Sequence, residues 1–220
     1  MRGVICALLL LWGGFMSYSQ TTVAKQSFET SSDTWAPLTF STPPCTNGTD
    51  IWDYITNLPG ISSASDASQF WGIRNLDGSC GGNDFESISF PDVNISSNTN
   101  VIFAFDYYAI GMDNNDDLKY ELFYDNTSQG EVVVVDGVGG GSDNTNGWAT
   151  ETVNIPSSVT NVRVILSARS NQNNDRAGFD NVRLFESSTT NDSCSNATTL
   201  TVGTDNTQNI ISGDNTSAAN

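Results

Sequence analysis

The chain has 220 residues, 25 acidic against 8 basic side chains, a net charge of −17 and no histidine. Such a charge repels nucleic-acid phosphates and leaves no basic patch to bind them. The missing histidine removes Ser-His-Asp and Cys-His catalysis and the HExxH zinc motif together.

Residues 1–19 read as an export signal. Arg2 gives the positive start, Val4 to Trp12 the apolar run, and Ser17-Tyr18-Ser19 a small-x-small cleavage site. The apolar run falls well short of the about 20 residues that a membrane-spanning helix needs. The expectation is therefore a secreted or cell-surface protein with no membrane span after the signal is removed.

Expected strands then follow in chain order. Val23–Glu29 comes first, and Trp35–Phe40 continues the apolar spacing. Residues 41–50 are rich in turn formers. Asp50–Leu58 carries Trp52 and Tyr54 at period two, and Pro59-Gly60 breaks it. Gln69–Leu76 precedes a glycine-rich turn, and Phe85–Phe90 alternates in part.

Val101–Ala109 sets Val101, Phe103, Phe105 and Tyr107 on one face. Leu118–Tyr124 alternates in the same way, and Glu131–Val135 is β-branched almost throughout. Trp148–Ile155, Val162–Ala168 and Phe179–Phe185 complete the series. Short alternating runs separated by Gly, Asn, Asp and Ser predict an all-β, antiparallel sandwich over 20–187. No stretch after the signal holds a helical period.

Residues 188–193 read as a linker, and 194–220 as the start of a second β domain. So short a segment builds no core of its own, so the sequence is expected to be the front of a longer protein. An exported chain pairs its cysteines. Cys45 and Cys80 lie in one domain and are expected to pair, closing a loop worth about 4 kcal/mol. Cys194 is then expected to find its partner past residue 220.

The chemistry expected of 20–187 is binding, not catalysis. Gly137–Gly141 lacks the lysine and helix of a phosphate loop. Hard cations want several oxygen ligands. Glu29, Asp106 and Asp180 place carboxylates in or at the ends of strands and are the expected ligands of a structural calcium ion. Asp106 stands between Phe105 and Tyr107, where a carboxylate needs a partner. Asp113 to Asp117 (DNNDD) forms a dense oxygen loop without the glycine and terminal glutamate of an EF-hand. Aromatic rings suit the apolar faces of sugars. Trp52, Tyr54 and Trp148 stand beside polar turns and are the expected ligand-facing rings.

Two short motifs carry a resemblance. Ser27-Phe28-Glu29 followed by Trp35, and the run Ala177–Leu184 (AGFDNVRL), resemble the first and last strands of jelly-roll domains. Carbohydrate-binding modules and MAM-like adhesion domains share that frame, and the match covers about residues 24–187. The resemblance implies a jelly-roll sandwich with a glutamate of the first strand beside an aspartate of the last. In those families the two hold a structural calcium; here they are Glu29 and Asp180. It also implies a glycan or a cell-surface protein as partner. The segment from Asn191 resembles domain starts in large secreted bacterial proteins built from serial β domains. The alternative reading is an accessory domain of a secreted hydrolase whose catalytic domain lies beyond residue 220.

Overall fold

The computed structural model describes residues 20–29, 33–82, 84–138 and 143–187. The export signal at 1–19, the linker at 188–193 and the second segment at 194–220 with Cys194 lie outside the described residues. So does part of the Gly137–Gly141 loop.

Among the described residues every regular element is a strand. They are β1 (Thr21–Gln26), β2 (Thr39–Phe40), β3 (Cys45–Asn47), β4 (Asp50–Ile55), β5 (Phe70–Arg74), β6 (Glu86–Ser89), β7 (Val93–Asn94), β8 (Val101–Ile110), β9 (Asp117–Tyr124), β10 (Thr127–Asp136), β11 (Ala149–Asn154), β12 (Asn161–Arg169) and β13 (Arg176–Glu186). No described helix is long and apolar enough to cross a membrane.

The strands form two antiparallel sheets, as the alternating pattern predicts. The larger runs β11-β8-β13-β5-β4-β3, with β1 also on β13; the smaller runs β10-β9-β12-β6-β2, with β7 also on β12. Period-two alternation turns one set of side chains into the space between them. Phe103, Phe105, Phe179, Trp71 and Ile73 enter from the larger sheet. Leu118, Leu122, Val164, Leu166 and Ile88 enter from the smaller one, and all belong to one buried cluster.

Several strands differ from the sequence expectation: β7 (Val93–Asn94) falls outside every expected run, and β10 starts at Thr127, before the expected Glu131–Val135. Residues 45–47 are a strand, because Asn47 pairs with Asp50 across a two-residue turn. Gly48 supplies the positive φ of 64° that this turn needs. Residues 35–38 are not strand, and only Thr39 and Phe40 pair, with Ser89 and Ile88.

The expected disulfide joins Cys45 to Cys80. Beside it, the buried Asp50 carboxylate accepts from Ser79 N at 2.6 Å and from the Asn75 amide. These donations, the Ser79 N–H first, hold the Asp50 carboxyl below the usual aspartate value.

β13 organises the larger sheet. One whole side pairs with β8. The other side is divided: Arg176–Phe179 pairs with β5, and Val182–Glu186 with β1. Between the two partners the register slips after Asp180, and Asn181 takes a φ of 48°. The end of β1 and the start of β5 therefore meet on Asp180. On the face turned away from the main core, residues 56–69 fold back over this sheet. Leu58 and Ile61 pack there on Phe70, with Ile55, Tyr108 and Trp148 around them. A Cβ on Gly178 would stand 2.8 Å from the Phe70 ring, so only glycine admits that packing.

A depressed carboxyl pKa contributes stability that is present above the unfolded value of about 4 and lost as pH falls through the folded one. Asp50→Asn is therefore expected to lower stability at pH 7 by about 1–2 kcal/mol. That difference should shrink as pH drops below about 4. Urea unfolding from pH 7 to pH 3 checks it, and a pH-independent difference would contradict the assignment.

Candidate functional site

Two neighbouring features are built where β1 ends. One is a carboxylate clamp on the loop at 62–69; the other is a cleft.

The clamp follows from the division of β13. Asp180 is fully buried. Its Oδ2 accepts from the backbone N–H groups of Ser65 and Asp66, both at 2.8 Å, and its Oδ1 from Asn181 N at 2.7 Å. Glu29, just past β1, takes the other end of the loop. Its Oε1 accepts from Ser68 N at 2.8 Å and from Gln69 N, and the Ser68 hydroxyl donates to both oxygens. Lys25 pairs with Asp66 at 2.7 Å, and the Trp148 indole donates to Ser63 O at 2.9 Å.

The two carboxyls differ electrostatically. Burial pushes Asp180 up to about 7, against the lowering pull of its N–H donors. For Glu29 burial also acts upward, but the donors on Ser68 and Gln69 win, and its pKa lies below the ordinary value.

Asp106 stands opposite Asp180 on β8. Its Oδ1 accepts from the Thr150 hydroxyl at 2.7 Å and lies 3.5 Å from Arg183, while Oδ2 accepts from Asn181 Nδ2 at 3.0 Å and from the Ser65 hydroxyl. Its charge is thus compensated by an arginine on the neighbouring strand. Among the described residues no three acidic side chains gather around one point. The expected calcium ligands Glu29, Asp106 and Asp180 are thus each held by donors of their own and are not gathered as one set. Glu29 and Asp180 carry the hard carboxylate oxygens that a calcium ion takes. Both clamp one loop, and the described structure gives the buried Asp180 carboxyl no cationic side chain as partner. A hard cation would supply that missing compensation.

The cleft, of about 470 Å³, lies beside Glu29. It is lined by Gln26, Glu29, Asp33, Ala36, Pro37, Leu38, Phe40 and Tyr54. Phe40 and Tyr54 form an aromatic side with ring centroids 6.4 Å apart, and both rest on Trp71, at 4.7 and 4.9 Å. Asp33 is fixed by Ser27, whose N–H and hydroxyl donate to its Oδ1 at 2.8 and 2.7 Å. Gln26 is fixed by donating to Trp35 O and accepting from Phe28 N. Burial, then the charges of Asp33 and Asp53, push the Tyr54 hydroxyl upward, so it remains a donor at neutral pH.

The expected ligand-facing rings separate. Tyr54 lines the cleft. Trp52 is wholly buried, edge-on to Trp71 at 5.0 Å, with its indole N–H on Thr42 O; it presents no face to a ligand. Trp148 packs edge-on against Phe70 and Tyr108 and holds the loop down. Sequence reading missed Asp33, Leu38 and Phe40 as lining. Residues 33–40 (DTWAPLTF) carry no period that would have set them on one wall.

No protein-family model and no curated protein matches the chain. Solved structures of similar architecture include carbohydrate-binding modules and adhesin domains. A family 61 carbohydrate-binding module in complex with β-1,4-galactotriose is 13% identical, with a TM-score of 0.44 over 73% of this chain and 94% of that one. The K3 cleaved adhesin domain of Lys-gingipain from Porphyromonas gingivalis is 15% identical, with a TM-score of 0.43 over 74% and 99%. The C-terminal family 22 carbohydrate-binding module of Clostridium thermocellum Xyn10B is 14% identical, with a TM-score of 0.44 over 76% and 94%.

Asp180→Ala removes the acceptor of three backbone N–H groups, those of Ser65, Asp66 and Asn181, each costing about 1–3 kcal/mol if left buried and unpaired. The amides of Ser65 and Asp66 are therefore expected to exchange at least tenfold faster in this variant, with the strand amides of β8 and β12 little changed. Amide hydrogen exchange followed by NMR checks it; unchanged protection at 65 and 66 would contradict the clamp.

Proposed function

We propose that residues 20–187 are a non-catalytic binding module of a secreted or cell-surface protein, and that the cleft takes a glycan. The single observation that carries this is the lining of the cleft, where the paired rings of Phe40 and Tyr54 share one cavity with the carboxylates of Asp33 and Glu29. A sugar ring has apolar faces and a rim of hydroxyls. Aromatic rings meet the faces, and ionised carboxylates accept strongly from the hydroxyls. The volume is that of a small-molecule site.

Binding is favoured over hydrolysis by the state of the acids. A glycosidase needs one carboxyl with a raised pKa to act as general acid. Glu29 is shifted the opposite way. The acids that burial raises, Asp180, Asp116 and Asp175, do not line the cleft. The Cys45–Cys80 disulfide supports an oxidising compartment.

Calcium belongs to the same reading. Glu29 and Asp180 would hold it, and the ion would stiffen the loop and the Glu29 side of the cleft. A partner of the protein class, or a hydrolase domain elsewhere in a longer chain, would use the same frame.

The full chain on a glycan array, in calcium and in chelator, tests the proposal. Wild type in calcium is expected to retain a restricted set of glycans. Tyr54→Ala should lose the signal by roughly tenfold or more, the worth of a stacked ring at about 1.5 kcal/mol. Chelation should weaken it. A blank array for wild type would overturn the glycan reading in favour of a protein partner, and equal signal in chelator would remove calcium from it.

A further inference from the structure

A second pair of acids lies away from the cleft, where the turn between β8 and β9 meets the turn between β12 and β13. Asp116 and Asp175 are both buried, at 0% and 1% exposure. Asp116 is oriented from two sides: Oδ2 accepts from Asp113 N at 2.8 Å, and Oδ1 from Asn171 N at 2.9 Å. The Asp175 carboxyl lies close enough for the two acids to act on each other. Its Oδ2 is buried with no hydrogen-bond partner. Among the described residues no lysine or arginine pairs with either acid.

A third segment closes on the pair. Gly137, just past β10, donates its N–H to Asp116 O at 2.9 Å. A Cβ there would come within 1.8 Å of Asp113 O and 2.4 Å of Asp116 O, so the backbone oxygens crowd this point and only glycine fits. The β8–β9 turn and the β12–β13 turn thus each supply one buried carboxyl, and Gly137 ties the backbone of the first turn down beside them.

From this arrangement we propose that Asp116 and Asp175 bind a divalent cation of the hard, oxygen-seeking class, with calcium as its representative. No group among the described residues partners Asp175 Oδ2. An orphaned buried acceptor costs about 1–3 kcal/mol, more for a charged group. A divalent ion gives that oxygen a partner and offsets the charge of both acids. The side-chain ligands are two, since no third acid converges on them; backbone oxygens and water would complete the shell. Burial pushes Asp175 up to about 7 and raises Asp116, as two carboxyls without a counter-ion require. The ion would pin the β8–β9 turn, the β12–β13 turn and Gly137 together, at a place separate from Glu29 and Asp180.

The test is calcium titration by calorimetry of the chelator-stripped full chain, with Asp175→Asn and Glu29→Gln variants. Asp175→Asn is expected to bind one calcium fewer than wild type, while Glu29→Gln keeps the Asp175 site. Wild-type stoichiometry in Asp175→Asn would overturn the proposal. Loss only in Glu29→Gln would overturn it too, while leaving calcium at the clamp standing. Amide NMR of the wild-type chain supplies a check that needs no variant: calcium should shift Asp113, Gly137 and Asn171, and unmoved signals there would refute the site.

Discussion

Trp71 is the contact on which the two sheets and the cleft both depend. It lies mid-strand in β5, wholly buried. Phe40 of the smaller sheet stacks on it at 4.7 Å and 12°, while Trp52 and Tyr54 of β4 meet it edge-on. Phe28, past the end of β1, closes the group at 5.9 Å. Removing a buried aromatic of this size costs about 3–5 kcal/mol. Here the loss would also release the two rings that form the aromatic side of the cleft. The same contacts thus pack the core and shape the cleft.

The second organising element is the division of β13. A strand that pairs with β5 along one half and β1 along the other must change partners somewhere, and it does so at Asp180. That junction leaves the N–H and hydroxyl groups of the returning loop to be satisfied and brings three acids to meet them. Each acid takes a different solution to burial. Asp106 finds Arg183, Glu29 stays near solvent among N–H and O–H donors, and Asp180 is buried on N–H donors alone. The last is the costliest of the three, which is why the calcium proposal rests there.

Much of the fold was legible in the sequence, because sheets bury alternate residues. Val101–Ala109, Leu118–Tyr124 and Val162–Ala168 announced their faces, and Phe103, Leu122 and Val164 are where the alternation puts them. The short strands were not legible. Cys45–Asn47 has no apolar face and exists through its hairpin partner, and residues 35–38 carry apolar side chains but make no ladder. The site was half legible. Glu29, Asp180 and Tyr54 stood out by motif or by period. Trp52 shares its strand face with Tyr54, but it lies deeper, against Trp71, so equal periodicity gave unequal exposure. Asp106 needed a partner, and the sequence could not say that Arg183 supplies it, because that pairing depends on strand order.

The cleft beside Glu29 is proposed as the place where a ligand sits. A crystal structure of the chain with the glycan it retains best is the test. A sugar ring stacked on Tyr54, with a hydroxyl donating to Asp33 or Glu29, is expected. A ring bound on the outer face of the smaller sheet, with the cleft empty, would contradict it.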